Sequence, residues 1–470
     1  MRTFLTVLLT IFGFSVSFAQ SDSSRLKFLF VGDIMQHGGQ IAGAYNAKKD
    51  AYDYRDCFQF VKPIVKNADI SIANLEVTHA GKPYKGYPQF SAPPELSESL
   101  IDAGFNVIIT ANNHSCDGGG KGVVKTLDVL DALKVKHTGT FRNKEERNKN
   151  YPLLIEKNGF KVAILNYTYG TNGLTVAAPL IINYIDSAVM EADFKKAREM
   201  NVDLIVCTLH WGTEYQSLPN AYQKNWEKFC YDQGADMVIG GHPHVLQPVE
   251  VKEIGGEKKL TAWSLGNFVS NQRDRTKDGG MILMAEVNKV SGKAVLGKVE
   301  HAFTWVYPRQ EAVVKPFYIL PDFDYNKYRP DFLDAESKAK YDVFFSDSRA
   351  LFNQHSKGTS EYLVSDPAIL AIYGMLLKGY YAQEYPIEVF KNAEIIQPGF
   401  KQLIHKVLGA DGEYHWLVGY FETEADVKKA SMPEAFIAAP KCVFISPTEY
   451  KVIKNINTPN ESIIDRRNGQ

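Results

Sequence analysis

From Leu26 onward, apolar runs of strand length alternate with longer stretches whose apolar residues recur at helical spacing. Leu26 to Val31 predicts a short strand ending in Gly32-Asp33. A helix around Tyr54 to Lys66 leads to a second strand, Asp69 to Ala73, which ends in Asn74-Leu75-Glu76. Pro93 and Pro94 open a helix that runs to Ala103 and is stopped by Gly104. Asn106 to Thr110 is the third strand and ends in Ala-Asn-Asn-His. Val123, Leu127, Leu130 and Leu133 then mark the apolar face of an amphipathic helix.

The same alternation continues for another 150 residues or so. Asn158-Gly159 turns a hairpin within Tyr151 to Tyr167, and Gly255-Gly256 turns a second between Pro248 to Ile254 and Lys259 to Trp263. A helix over Ser187 to Met200 precedes the continuous apolar strand Val202 to Leu209, which ends in His210-Trp211-Gly212. Another, over Ala221 to Gln233, leads into Val238 to Gln247, where a β-branched run passes two glycines and delivers His242 and His244 to its tip. Met281 to Val287 and Val295 to Tyr307 read as closing strands. Strands that are apolar on both faces and alternate with helices predict an α/β layered domain, in which ligands gather at the carboxyl ends of strands.

Beyond Pro308 the pattern changes. Pro321 and Pro330 interrupt a mixed aromatic and charged stretch, which reads as a connecting region packed on the first domain. Asp366-Pro367 begins a helix with Leu370, Tyr373, Leu376 and Leu377 on its apolar face. Strands at Ile387 to Phe390, Tyr414 to Tyr420, Ala435 to Ala438 and Cys442 to Ile445 then alternate with helices near Pro398 to Leu408 and Glu424 to Ala430, giving a small α+β module. The expected division is a leader over 1–20, the α/β domain over 25–310, a partly helical connector over 311–382, the small module over 383–450 and a tail over 451–470.

Composition narrows the function classes. A net charge of -1 and the lack of a basic run interleaved with aromatics exclude broad nucleic-acid binding. Arg2, the apolar stretch Phe4 to Phe18 and the small residues before Gln20 read as a secretory leader too short to span a membrane. The expectation is therefore an exported chain, periplasmic or envelope-associated, that does not cross the membrane once the leader is removed. Five widely spaced cysteines do not make a disulfide framework; one bridge is compatible with export, and Cys207, inside an apolar run, reads as a small buried hydrophobe.

The chemistry lies at the strand ends. Asp33, Asn74 with Glu76, Asn113 with His114, His210, and His242 with His244 close five of the strands with carboxylate, amide and imidazole donors and no thiolate. Such donors suit Mn, Fe, Zn or Mg. Two carboxylates and several imidazoles exceed what one ion needs, and two divalent ions roughly 3.5 to 4 Å apart with one bridging carboxylate would use them. Such a pair activates water and neutralises phosphoryl oxygens.

Six motifs carry a resemblance: Gly32-Asp-Ile-Met35, Asn74-Leu-Glu76, Ala111-Asn-Asn-His114 with Asp117, His210-Trp-Gly-Thr-Glu-Tyr215, Gly241-His-Pro-His-Val-Leu-Gln247 and Ser264-Leu-Gly-Asn-Phe268. In this order they resemble the CapA family, the poly-γ-glutamate capsule proteins of the calcineurin-like metallophosphatase superfamily. The resemblance implies a four-layer α/β/β/α metallophosphatase-like domain. It implies Asp33 and His244 as ligands of a first metal, Glu76 as the bridge, and Asn113, His210 and His242 as ligands of a second. It also implies His114 as the group that stabilises or protonates a leaving group, oriented by Asp117. The superfamily has Asp-x-His in its first motif, whereas His37 stands four residues after Asp33, so this sequence departs from the pattern at the ligand expected there. Glu at position 76 is longer than the superfamily's aspartate and is the residue CapA proteins favour.

Several residues have two readings. Asp117 orients His114 or caps the following helix; Glu214 and Tyr215 line a substrate pocket or support the His210 loop; Asn74 and Asn267 support ligands, and Asn267 is alternatively a turn residue. His79 and Cys116 read as structural. Lys82, Lys85, Arg273 and Arg275 either meet an anionic polymer or are solvated loop charges. The Tyr414 to Val427 segment, followed by Glu434 to Ala438, weakly resembles a SPOR-type peptidoglycan-binding domain of ferredoxin-like βαββαβ form. Its Tyr414, Trp416 and Tyr420 are then sugar-stacking residues or that module's core. The functional expectation is a dinuclear-metal hydrolase acting on a phosphoester or on a bond in an anionic surface polymer. The alternative is a non-catalytic protein that holds a poly-γ-glutamate-like or cell-wall polymer at the envelope, with peptidoglycan a partner through the last module.

Overall fold

The structure is a computed structural model that describes residues 24–47, 49–308, 317–322 and 333–362, with the backbone of six further strands between Tyr380 and Asp465. In chain order the strands that build the first domain are β1 (Arg25–Ile34), β2 (Ile70–Leu75), β3 (Val107–Ile109), β4 (Lys136–Thr138), β5 (Leu153–Lys157), β6 (Phe160–Thr168), β7 (Leu204–His210), β8 (Met237–Gly241), β9 (Val249–Ile254), β10 (Glu257–Ala262), β11 (Asn267–Val269), β12 (Gly279–Val290), β13 (Lys293–Pro308) and β14 (Phe317–Pro321). The main helices are α1 (Glu95–Ala103), α2 (Gly119–Ala132), α3 (Ser187–Glu199), α4 (Ala221–Asp232) and α5 (Ala335–His355).

Two sheets result. One runs β14-β13-β12-β1-β2-β3-β4, with β11 also paired to β1, and the other runs β9-β10-β8-β7-β6-β5. In the first, β1 to β4 are parallel. In the second, β6, β7, β8 and β10 are parallel, and hairpins supply the antiparallel edges β5 and β9.

Alternation of side chains along each strand explains how the sheets stack. Val162, Ile164, Leu204, Val206, Met237 and Ile239 of the second sheet join one core with Phe28, Phe30 and Ile72 of the first. Their neighbours Leu165, Tyr167, Ile205, Cys207, Leu209 and Val238 pack instead with Met190, Phe194 and Ala197 of α3 and Cys230 of α4. Leu96 and Leu100 of α1, with Ile64 and Val65, belong to the first core. The layers are therefore helix, sheet, sheet, helix, the four-layer α/β/β/α arrangement. Each fully buried Leu, Ile or Val contributes about 1.5 to 3 kcal/mol, so the apolar strands that made the pattern legible also hold the two sheets together.

Local signals behave as their chemistry requires. Asn158 and Gly159 both have positive φ (51° and 79°), as do Gly255 and Gly256 (62° and 80°), the conformations a two-residue hairpin turn needs. Gly104 ends α1 at φ 113°. Two other glycines permit close approach at the strand ends. A Cβ on Gly32 would lie 1.9 Å from the Gly266 carbonyl oxygen, and one on Gly240 would lie 2.1 Å from that of Trp263.

Three expectations are corrected. The helix over Tyr54 to Lys66 is a 3₁₀ turn at Arg55–Phe58 and a single α turn at Lys62–Val65, broken where Pro63 can occupy only a helix's first turn. The helix near Pro398 to Leu408 is in part a strand, Ile404–Leu408, which pairs antiparallel with Tyr414–Phe421. Cross-strand pairing there overrides the local helical pattern. The segment read as a tail supplies two strands, Val452–Asn455 and Ile464–Asp465, to the same six-stranded sheet. The connecting region is bound to the first domain: β14 extends its sheet, and Tyr341, Phe344, Phe345 and Phe352 of α5 enter its core. The leader, the helix from Asp366, and the elements expected at Ile387 to Phe390, Glu424 to Ala430 and Ala435 to Ala438 lie outside the described residues.

Candidate metal centre

The carboxyl ends of β1, β2, β3, β7 and β8 converge where the two sheets meet. Asp33 lies at the end of β1, Glu76 follows β2, Asn113 and His114 follow β3, His210 closes β7, and His242 and His244 follow β8. Asp33, Glu76 and His244 form one group whose donor atoms all lie within 4.8 Å of each other, and Glu214, His242 and His244 form another. His244 Nδ1 is 3.1 Å from Asp33 Oδ2, and its Nε2 is 3.7 Å from Glu76 Oε1. His210 Nε2 lies 3.6 Å from the same Glu76 oxygen and 2.8 Å from Asn113 Oδ1. Donor atoms about 3 to 4 Å apart are what two ligands of one ion present when each sits roughly 2.1 Å from it.

Glu76 is the strongest indication of a cation. It is fully buried, neither carboxylate oxygen accepts a hydrogen bond, and its acid form pairs with the Asp33 carboxyl. Burial pushes its acid well above the usual carboxylate range, and the charge of Asp33 adds to the effect. Burial also acts to raise Asp33, but the hydrogen bond and charge of His244, the charge of His210 and a 2.8 Å hydrogen bond from Asn74 Nδ2 bring it below its ordinary value. His242 is lowered to about 3 by burial and by His244, and its Nδ1 has no hydrogen-bond partner. His210 is held well below its usual value by burial and by His242. Burial thus disfavours the cationic form of His210 and His242 and the anionic form of the Glu76 beside them, a donor set that fits divalent ions.

Neighbours fix these donors. Asn267 opens β11 opposite Asp33; its Nδ2 donates to Gln272 Oε1 and to the Lys277 carbonyl, so its Oδ1, 3.1 Å from His244 Nδ1, is an acceptor. An N–H on Nδ1 of His244 leaves Nε2 facing Glu76. Asn112, which sequence reasoning passed over for the Asn113 beside it, is fully buried. It donates to Asn74 Oδ1 and the Leu75 carbonyl and accepts the His114 N–H at 3.0 Å. It ties the β2 and β3 ends together, and the only sequence signal for it was the doubled asparagine.

His114 Nδ1 is 2.8 Å from Asp117 Oδ2, and the same oxygen accepts the Phe90 N–H at 2.6 Å. The residue preceding α2 is Gly118, which offers no side chain, so the Asp117 carboxylate is engaged with His114 and not with the helix end. The Phe90 ring packs edge-on against His114 at 4.6 Å. His37 stands outside both ligand groups: its Nδ1 accepts the Asn271 N–H at 3.2 Å, Gln40 Oε1 lies 3.2 Å away, and burial lowers its pKa to about 4. His79 is occupied elsewhere, by the Ala92 carbonyl and Ser97 Oγ. Cys116 is buried beside Val123 and Leu127, and Cys207 and Cys230 are free thiols. Glu214 and Tyr215 stand exposed beside His242 and His244.

Residues 27–272, which include every residue of this centre, match the family described as Bacterial capsule synthesis protein PGA_cap. The chain belongs to that family. It is 31% identical over 282 residues to the capsule biosynthesis protein CapA of Bacillus anthracis, covering 56% of this chain and 64% of that protein. It is also 31% identical over 277 residues to the PGA biosynthesis protein CapA of Bacillus subtilis (strain 168), covering 55% and 67%. Among solved structures, a phosphatase from Mycoplasma pneumoniae aligns with 60% of this chain and 94% of its own at 17% identity and a TM-score of 0.38. The NAD nucleotidase of Haemophilus influenzae aligns with 72% and 64% at 12% identity and a TM-score of 0.41. Among the described residues, no helix is long and apolar enough to cross a membrane.

Proposed function

We propose that this chain is a dinuclear-metal hydrolase that cleaves a phosphoester in the making or processing of a bacterial surface polymer. The observation that carries the reading is Glu76, a fully buried carboxylate that accepts no hydrogen bond and faces His210 and His244, next to the His114–Asp117 pair. Asp33, Glu76 and His244 would hold one ion, and Glu76, Asn113, His210 and His242 the other. Divalent ions bound there supply Lewis acidity and water activation at neutral pH.

The chain's own groups then have distinct tasks. The carboxylate of Asp117 accepts from Nδ1–H of His114 and fixes the ring. In the imidazolium form, Nε2–H gives its proton to the departing alcohol oxygen as the P–O bond to that oxygen breaks. The attacking water oxygen forms the new P–O bond, so an ester and water give an alcohol and a phosphate. Phe90 excludes water from one face of the imidazole. Export belongs to the same proposal and rests on the leader-like first 20 residues. Peptidoglycan contact rests on the Tyr414 to Val427 pattern alone.

The test is metal analysis of the purified chain combined with turnover of aryl phosphates and of polyglutamate by the parent and by His114→Ala. The expected result is stoichiometric metal in both proteins, with kcat on the aryl phosphate reduced about 10² to 10⁴-fold in the variant. Bound metal without turnover of either substrate, and no effect of His114→Ala, would turn the assignment to the non-catalytic polymer holder.

A further inference from the structure

Three tyrosines stand exposed around the mouth of the metal centre, with relative exposures of 76% for Tyr87, 40% for Tyr169 and 46% for Tyr215. They are held in place. The Tyr169 ring lies 4.4 Å from that of His242, and its N–H donates to the His210 carbonyl at 2.9 Å. The Tyr215 ring lies 6.2 Å from that of His244; its N–H donates to the Pro243 carbonyl at 2.8 Å, and Lys277 Nζ sits 4.6 Å above its ring. Tyr87 packs on Phe90, the residue that touches His114. Aromatic rings partly open to solvent beside a buried polar centre are stacking surfaces for a ring.

Several of the cations on these loops are paired with carboxylates. Lys277 is paired with Asp274, Arg275 with Asp278 and Asp347, and Lys82 lies 3.7 Å from Asp50. Arg273 is half-buried over the Trp305 ring, and Lys82 and Lys85 stand exposed on their loop. Glu214 presents an exposed carboxylate within 4.8 Å of donor atoms of His242 and His244. Asn172, whose Oδ1 accepts from Asn113 Nδ2 at 3.4 Å, and Gln272, whose Nε2 lies 3.5 Å from the Tyr215 hydroxyl, add neutral hydrogen-bonding groups. Carboxylate, amides and aromatic faces together suit a neutral ring bearing hydroxyls.

We propose, on the reading that this centre takes a phosphoester, that the substrate is a sugar phosphoester. Its phosphoryl group sits at the metal centre and its sugar ring lies against Tyr169 and Tyr215, with hydroxyls toward Glu214, Asn172 and Gln272. The test is calorimetric titration of the metal-loaded full chain, in the His114→Ala background so that binding is read without turnover, with glucose 1-phosphate, glycerol 1-phosphate and a poly-γ-glutamate oligomer. Glucose 1-phosphate is expected to bind about 10-fold more tightly than glycerol 1-phosphate. Tyr169→Ala and Tyr215→Ala should each remove several-fold of that preference, while Tyr215→Phe keeps it. Unchanged melting temperatures would show that the variants remain folded. Equal affinity for the two phosphates, no binding of either, or tighter binding of the polyglutamate overturns the proposal. A retained sugar preference in a parent protein that turns over no phosphoester would sink the hydrolase reading and leave this one standing.

Discussion

Glu76→Gln separates the metal centre from the rest of the fold. The substitution keeps the side chain's shape and removes only the charge that the proposed ions share. With divalent metal at 100 times its dissociation constant, the parent gains about 2.7 kcal/mol of stability. For a domain of this size that raises Tm by roughly 4 to 5 °C. Because burial, the charge of Asp33 and a hydrogen bond to the Asp33 carboxyl push the Glu76 acid well above the carboxylate range, the metal-free protein favours its neutral form. The amide then replaces a neutral acid, and stability in chelator should change little. Metal binding must also expel that proton, so affinity in the parent should rise with pH. The assay is thermal unfolding of parent and variant in EDTA and in graded Mn or Zn, with metal content measured on the same samples. The parent's Tm should climb with metal while that of Glu76→Gln stays nearly flat. A variant that keeps the full metal-induced rise, or a parent that shows none, refutes the reasoning.

Two further outcomes follow from the same geometry. His37→Ala should leave the metal-to-protein ratio at the parent's value, because the Nδ1 of its ring is engaged with Asn271 and Gln40; loss of one metal equivalent would show that His37 is a ligand. His79 is fully buried and lowered by burial to about 4 from an ordinary 6.5, so between those values the unfolded chain binds a proton that the folded chain does not. Its contribution is therefore complete above pH 6.5 and lost as pH falls toward 4, by about 3 kcal/mol. Urea unfolding in EDTA at pH 7 and at pH 4.5 should show that loss, and His79→Gln should reduce it.

What the sequence determined by itself was local. Strand after strand announced itself through apolar runs, because burial between two layers demands them. The hairpins at Asn158-Gly159 and Gly255-Gly256 followed from residues that tolerate positive φ. The donor types at the strand ends were legible because a layered α/β fold brings those ends to one place whatever the details. Tertiary structure decided what depends on partners distant along the chain. Whether Asp117 serves His114 or a helix, whether the imidazole of His37 meets the other ligands, and that Asn112 and Tyr169 belong to the centre at all are set by contacts between separate strand ends. Ile404–Leu408 is a strand for the same reason: its hydrogen bonds are satisfied across the sheet, by Tyr414–Phe421, and not within its own segment. Residue type and spacing carry the chemistry available to a chain, but only its folding selects which donors face each other across a few ångströms.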